Sequence, residues 1–241
     1  MGPSRCRSRY GRSHPQPGRR PATNPPRTLS WSLVVPLKPL ARAKSRLAPA
    51  AGDALRPGLA LAFAQDTVAA ALATAEVRDV VVVTDDIAAG AALAELGARI
   101  VPDVPGAGLN AALAHGARTV RALRPGAAVA ALNADLPALR PAELRRVLIR
   151  ASEFPRAFLT DAAGIGTTFL SAAPETELRP AFGGRSRMRH TISGAEELLL
   201  EWVDSVRQDV DTGDDLRAAC ALGVGRHTEA LCPAFVRQTQ G

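Results

Sequence analysis

Four consecutive valines, at positions 80 to 83, constrain the fold of this chain more than any other feature. Valine is stiff at its first side-chain torsion and favours extended backbone. An unbroken apolar run indicates a strand that is covered on both faces, because a half-exposed strand would alternate apolar with polar residues. Strands of this kind occur mainly in parallel sheets, whose connections are helices. The neighbouring segments should therefore alternate between strand and helix.

That alternation is present on both sides of the valines. Apolar runs predict further strands at 29–37, 98–103 and 127–137. Segments rich in Ala and Leu, or with helical periodicity, predict helices at 58–74, 88–97, 109–123 and 141–153. Strand–helix alternation implies βαβ units. The expected fold class is therefore α/β, with a doubly wound, mainly parallel sheet of the Rossmann-like type.

The C-terminal half departs from simple alternation. The stretches "RAFLTD" and "TTFLSAA" predict two strands joined by a Gly-rich turn, and "SVRQDVDT" predicts a last strand at 205–212. A helix should follow at 212–223, because Thr212 and Asp215 have capping-box spacing. We find no internal repeat and no second core, so we expect a single domain over 29–236.

The first 28 residues differ in composition from the rest. They contain seven arginines and no acidic residue, whereas the remaining chain has 23 basic and 23 acidic residues and no net charge. The segment lacks apolar periodicity, so we expect a disordered basic tail at 1–28. A nucleic-acid arm, a transit peptide and a twin-arginine signal are alternatives. The neutral remainder argues against nucleic-acid binding, and a non-functional extension is the simplest interpretation.

Composition also narrows the class of protein. No apolar run approaches the length that a membrane span requires, so we expect no membrane association. Three cysteines at unrelated spacings form neither a disulfide framework nor a metal-binding motif. A reducing cytoplasm is the expected compartment. The chain contains no Walker lysine motif and no Ser-His-Asp order.

Charged residues follow several predicted strands at their carboxyl ends, where ligands bind in such sheets. Lys38, Lys44 and Arg46 follow the first strand. Lys38 and Lys44 are the only lysines of the chain, which has 28 arginines. Asp135 lies at the end of the strand predicted at 127–137, and Asp209 and Asp211 lie in the last predicted strand, where alternation would give them one face. Cations that neutralise phosphates and carboxylates that hold Mg²⁺ are the groups that nucleoside triphosphate chemistry needs.

Each of these groups also has a structural interpretation. The basic loop could be solvated, Asp135 could end a strand, and Asp211 could cap the helix that follows. Interleaved Leu37, Leu40 and Leu47 favour a loop that folds over a ligand. His190, beside Arg187 and Arg189, is predicted to be a structural or phosphate-side group rather than a base.

Six motifs in order resemble one known family. They are "VVPLKPLARAKSRLAP", "NADLPAL", "GIGTTFL", "AFGGRSRMRH", "SGAEEL" and "DVDTGDDL". Together they resemble the 2-phospho-L-lactate guanylyltransferase family, whose bacterial members act as phosphoenolpyruvate guanylyltransferases in coenzyme F-420 biosynthesis. The resemblance covers roughly residues 31 to 235 and implies a nucleotidyltransferase fold.

The resemblance also implies roles for particular residues. Phosphoenolpyruvate contacts would fall on Thr167, Gly183 and Ser186, metal ligands on Asp135 and on Asp209 or Asp211, and a nucleotide contact on Asn110. The implied reaction joins GTP to phosphoenolpyruvate, with Mg²⁺ as cofactor, and releases diphosphate. Three alternatives remain: 2-phospho-L-lactate as the acid, another phosphorylated metabolite, or a nucleotide-binding protein without catalysis.

Overall fold

The computed structural model describes residues 1–2 and 29–232, so the predicted tail lies outside the described residues apart from its first two positions. The described part of the chain forms seven strands, β1 (Trp31–Pro36), β2 (Val77–Val83), β3 (Arg99–Val101), β4 (Ala128–Leu132), β5 (Arg156–Leu159), β6 (Phe169–Ala172) and β7 (Glu196–Glu197). All seven belong to one sheet, in the order β3-β2-β1-β4-β6-β5-β7. Only β6 runs antiparallel to its neighbours, so the prediction of a mainly parallel α/β sheet is confirmed.

Helices connect the strands and cover the sheet. They are α1 (Ala48–Leu72), α2 (Ile87–Glu95), α3 (Leu109–Leu123), α4 (Pro141–Ala151), α5 (Ser186–Ile192), α6 (Asp204–Arg207), α7 (Gly213–Leu222) and α8 (Arg226–Glu229). Two short 3₁₀ turns, Leu40–Arg42 and Ser45–Leu47, lie between β1 and α1. No helix in the described residues is long and apolar enough to cross a bilayer.

The valines of β2 divide between the two faces of the sheet. Val80 and Val82 pack in the core beside α1 and α4, whereas Val81 and Val83 pack in the core beside α3. All four are at most 1% exposed, and burial of a valine side chain stabilises the fold by about 1.5–3 kcal/mol. The inference of a strand covered on both faces is therefore confirmed.

Gly116 allows α3 to lie close to this sheet. A Cβ atom at this position would lie 2.5 Å from Cγ1 of Val34 and 2.8 Å from Cγ2 of Val83. Both neighbours are in buried strands that cannot withdraw without disturbing the core. Any larger residue at position 116 would therefore push α3 away from β1 and β2.

The predicted last strand is wrong. Residues 204–207 form the single turn of α6, and 208–212 form no strand. Contacts with α4 hold this turn, because Ser205 receives a hydrogen bond from Arg140 N (3.1 Å) and donates its own N–H to Glu143 (2.9 Å). The helix after it is confirmed, and the capping box of Thr212 and Asp215 is formed.

Candidate active site

A cleft of about 490 Å³ lies at the carboxyl ends of the parallel strands. Nine of the ten predicted site residues line it; Asn110 does not. Two parts of its lining differ in chemistry. We call Lys44, Asp135, Asp209 and Asp211 the charged wall. We call Thr167, Gly183 and Ser186 the hydroxyl wall.

The loop after β1 brings lysine into this cleft. Leu37 N donates to Val83 O (2.9 Å), and the buried side chains of Ala43 and Leu47 fasten the loop on either side of Lys44. Arg56 from α1 donates to the carbonyl oxygens of Ala41 and Ala43. Between the two 3₁₀ turns, Lys44 has a φ of 55°, a left-handed conformation that costs energy for a residue other than glycine.

Asp135 is fixed by a hydroxyl of α1. Thr67 Oγ1 accepts from Leu136 N (3.0 Å) and lies 3.2 Å from Ala134 O, so it contacts the backbone on both sides of Asp135. Asp135 O in turn accepts from Val210 N (3.1 Å). These bonds join the segment after β4 to the segment between α6 and α7.

The same contact orients Asp209 and Asp211. Val210 is fully buried beside Leu47, whereas the two aspartates that flank it line the cleft. The two carboxyl groups therefore do reach one site, as predicted, although the segment is not a strand. A buried residue between two polar residues can direct both polar side chains into one site even where the backbone is irregular.

Lys44 joins the two segments electrostatically. Its Nζ atom bonds to Oδ2 of Asp135 and to Oδ1 of Asp211 (2.9 Å), with only 11% of the lysine side chain exposed. Burial alone would lower the pKa of the ammonium, but the two carboxylates outweigh it and raise the pKa well above its usual value. Lys44 is therefore a permanently charged cation in this cleft.

Asp211 is negatively charged, because its carboxyl pKa is lowered. Partial burial would raise the pKa of its carboxyl, but Lys44, followed by Arg46 and Lys38, outweighs burial and lowers it. Lys38 and Arg46 are themselves exposed at the rim of the cleft. The three cations of the predicted phosphate site therefore act on one carboxylate.

The carboxyl pKa of Asp209 is shifted in the opposite direction from that of Asp211. Burial, and then the negative charges of Asp135 and Asp211, raise the pKa of its carboxyl to about 8. Asp135 has one buried oxygen, Oδ1, without a hydrogen-bond partner. In the described residues no three acidic, His or Cys side chains form a complete ligand set, and the Lys44 ammonium lies between Asp135 and Asp211.

The hydroxyl wall is uncharged, and its two hydroxyl-bearing residues are buried. Thr167 precedes β6 and Ser186 begins α5; they are 5% and 1% exposed, and their Oγ atoms are 3.1 Å apart. Gly183 has a φ of 93°, which favours glycine, and a Cβ there would meet no atom within 4 Å. Its exposed backbone and the two hydroxyls form the uncharged part of the cleft.

Asn110 contacts a loop of the cleft rather than the cleft itself. Its Oδ1 atom accepts from Phe182 N (2.7 Å), and its Nδ2 atom donates to Phe182 O (3.2 Å). Leu109, the residue before it, lines the cleft. The predicted nucleotide contact of Asn110 stays a prediction, and the amide has a clear local role in holding residue 182 beside Gly183.

Two residues of this region were not assigned to the site from sequence. Asp161, after β5, lines the cleft and accepts from the N–H groups of Ile165 (2.9 Å) and Gly166 (2.8 Å), which shapes the turn before Thr167. A Cβ at Gly166 would lie 2.2 Å from Asp161 Oδ2, so a larger residue there would displace the carboxylate that shapes this turn. The position of Asp161 at a strand end was an available signal.

His190 is the other residue. It is fully buried, contacts Thr167 and does not line the cleft, so it is not a direct phosphate contact. No sequence signal indicated the contact, because positions 167 and 190 are joined only through tertiary contacts of α5 with Phe158 of β5 and with the residues before β6.

Comparison with known proteins identifies the family of this chain. The family model described as "Guanylyl transferase CofC like" matches residues 31–234. A phosphoenolpyruvate guanylyltransferase of Streptomyces coelicolor is 71% identical over 203 residues, 84% of this chain and 96% of that protein. The protein of the same name from Streptomyces avermitilis is 73% identical over 202 residues, 84% of this chain and 94% of that protein.

Solved structures support the fold. A protein of Desulfovibrio desulfuricans described as a nucleotide-diphospho-sugar transferase superposes with a TM-score of 0.63 at 16% identity, over 88% of this chain and 98% of that one. A nucleotidyl transferase from Methanothermobacter gives a TM-score of 0.58 at 22% identity, over 80% and 97%. The fold is that of the nucleotidyltransferases, and the chain belongs to the CofC-like guanylyl transferase family.

Proposed function

We propose that this protein transfers the guanylyl group of GTP to phosphoenolpyruvate, giving enolpyruvoyl-2-diphospho-5'-guanosine and diphosphate. The observation that carries the proposal is the single cleft in which the charged wall and the hydroxyl wall meet. One wall suits a triphosphate, and the other suits a small acid. Relatives above 70% identity with this substrate in their names support the same conclusion. We place the reaction in the cytoplasm and in the synthesis of coenzyme F-420.

The charged wall would bind the triphosphate. Lys44 is a compact cation on a flexible stem, able to follow a phosphate that moves as the bond breaks, which the planar fork of arginine would do less well. Lys38 and Arg46 at the rim would neutralise the outer phosphates. Catalysis then consists mainly of alignment and of charge neutralisation around the α-phosphorus.

The residues of the charged wall fit a divalent cation, and we propose Mg²⁺. Asp135 has an unpartnered buried oxygen, and burial, followed by the negative charges of Asp135 and Asp211 that a cation would offset, raises the pKa of Asp209. Asp135, Asp209 and Asp211 would hold the ion once the phosphates of the nucleotide draw Lys44 away from Asp135 and Asp211. Bound there, Mg²⁺ would supply oxygen-seeking positive charge that neutralises phosphate oxygens and the departing diphosphate.

The hydroxyl wall would hold the acid. Thr167 and Ser186 offer hydroxyl groups, and Gly183 offers exposed backbone. A phosphate oxygen of the acid attacks the α-phosphorus of GTP, the bond to the β-phosphate oxygen breaks, and diphosphate leaves with the electron pair. The attacking oxygen is already anionic at neutral pH, so the protein needs no strong general base.

A diphosphate-release assay tests the proposal. The full chain is incubated with Mg²⁺ and each of the four nucleoside triphosphates, with phosphoenolpyruvate or 2-phospho-L-lactate, and products are identified by mass. We expect turnover with GTP and phosphoenolpyruvate. The two acids differ at one carbon, so the preference should be about 10–200-fold. A better rate with phospholactate would reassign the acid, and nucleotide binding without diphosphate release would indicate a non-catalytic protein.

A further inference from the structure

His190 lies directly behind the hydroxyl wall. It is four residues after Ser186 on α5, fully buried, and packed against Phe158 and Phe182 with ring-centroid distances of 5.6 Å and 5.2 Å. The ring has no solvent to exchange protons with, and two aromatic side chains fix its plane. Its hydrogen bonds therefore define one stable arrangement.

The bonds of the ring identify its tautomer. Ala181 N–H donates to Nε2 (3.0 Å), so Nε2 must be the unprotonated nitrogen. Burial, with the positive charges of Arg156 and Arg189, lowers the pKa of His190 to about 4, so the ring is neutral at physiological pH. A neutral ring has one proton, and it must be on Nδ1.

That proton determines the direction of the neighbouring hydroxyl bonds. Nδ1 lies 3.0 Å from Thr167 Oγ1, so the imidazole donates and the threonine oxygen accepts. Thr167 Oγ1 is also 3.1 Å from Ser186 Oγ. The two hydroxyls together have two protons, and one of these is used between them. The other proton is not needed inside the network and can point into the cleft, which both residues line.

The opposite tautomer would reverse the outcome. If Nδ1 were an acceptor, Thr167 would give its proton to the ring and Ser186 would give its proton to Thr167. The wall would then offer only lone pairs to the cleft and would repel an anion. The identity of the protonated nitrogen therefore decides whether this wall attracts or repels an acid.

We propose that His190 is a positioning residue that, by donating from Nδ1 to Thr167, makes the hydroxyl wall a hydrogen-bond donor to an anionic oxygen of the phospho-acid. The inference rests on the proposed function, because it takes the acid to bind at Thr167 and Ser186. The contact of Nε2 with Ala181 has a separate, structural role, since it holds the loop that contains Gly183.

Two near-isosteric variants separate these contacts. In His190→Asn the amide nitrogen can take the place of Nδ1 and donate to Thr167. In His190→Gln the amide oxygen can take the place of Nε2 and accept from Ala181, while the donor to Thr167 is lost. We expect KM for phosphoenolpyruvate to rise about 10-fold or more in His190→Gln and to stay within about 3-fold of wild type in His190→Asn. KM for GTP should change little in either.

An equal rise for both substrates, or a larger rise in His190→Asn, would overturn the proposal, because it would show a merely structural role. Nitrogen-15 NMR of the imidazole in the substrate-free wild-type protein is the second measurement, and it requires no variant to fold. We expect a neutral ring protonated at Nδ1. Protonation at Nε2, or at both nitrogens near neutral pH, would overturn the proposal. Absence of turnover with any acid would contradict the proposed function alone, because the tautomer is still measured.

Discussion

The two walls of the cleft differ in charge and in burial. In the charged wall, Lys44 lies between Asp135 and Asp211, and half of the Asp211 side chain is exposed. In the hydroxyl wall, Thr167 and Ser186 are buried, uncharged and connected to a neutral histidine. The first is held together by ion pairs that a polyphosphate or a metal ion would compete for. The second is already formed before any ligand arrives.

We infer from this difference that the two walls bind different substrates. A charged group that changes partners suits a triphosphate, since its charge is redistributed as diphosphate leaves. A fixed set of neutral donors suits a small acid that must be held in one orientation while its phosphate reacts. Substitutions in each wall test whether the two walls act separately.

The largest effect should come from Asp135→Asn. The variant loses an anionic ligand of the proposed metal site, and we expect turnover to fall by about 10³-fold or more, comparable with the loss of a major electrostatic group. Thermal unfolding should change little, because Thr67 holds the backbone here through main-chain groups.

The matched control is Asp214→Asn. Asp214 lies on α7, is 87% exposed and forms only a surface ion pair with Arg217. Its turnover should match wild type. Near-normal activity in Asp135→Asn would refute the role of the charged wall in catalysis.

Lys44 should come next. We expect Lys44→Ala to lower kcat/KM for GTP by about 10–100-fold, since it removes a charge-assisted bond and leaves two carboxylates facing each other. Lys44→Arg keeps the charge, so its kcat/KM for GTP should lie between the values of Lys44→Ala and wild type. Arg56 is unsuitable as a control, because it holds the loop through Ala41 and Ala43.

Arg118 on α3 is a better comparison. It is exposed and remote from the cleft lining, so Arg118→Ala should leave GTP use unchanged. If Lys44→Ala and Arg118→Ala behave alike, the loop after β1 is ordinary solvated surface.

A smaller effect concerns stability and pH. The pKa of His190 falls from 6.5 to about 4 on folding, so between these values the unfolded chain binds more protons than the folded one. The contribution of His190 to the free energy of unfolding should therefore be largest above pH 6.5. It should decrease by roughly 3 kcal/mol as the pH falls to 4. Denaturant titrations of wild type and His190→Asn measure it. Equal pH slopes would contradict a buried neutral ring.

Sequence patterns predicted much of this molecule, for identifiable reasons. The valines of β2 and the apolar run of β4 gave unambiguous strands because both faces are buried. Since the carboxyl ends of parallel strands meet at one edge, this was enough to bring Lys44 and Asp135 into one cleft.

The remaining features depend on tertiary contacts. Val206 and Val210 are both fully buried and four residues apart, a spacing that strand alternation and a helical turn satisfy equally. The bonds of Ser205 with Arg140 and Glu143 favour a single helical turn at 204–207, and Val210 lies beyond it in irregular backbone. The ion pairs of Lys44 and the contact between His190 and Thr167 join positions far apart in the chain, which no local pattern contains.

The separation of the two walls is tested most directly by KM for both substrates in Lys44→Ala and in the double variant Thr167→Val/Ser186→Ala. The double variant removes both hydroxyls and with them the donor to a charged group, an interaction worth about 1.5–3 kcal/mol, so KM for phosphoenolpyruvate should rise by about 10–100-fold. KM for GTP should stay near wild type. Lys44→Ala should show the reverse, with the larger change for GTP. If each variant impairs both substrates to the same extent, the two walls do not bind different substrates and the account is wrong.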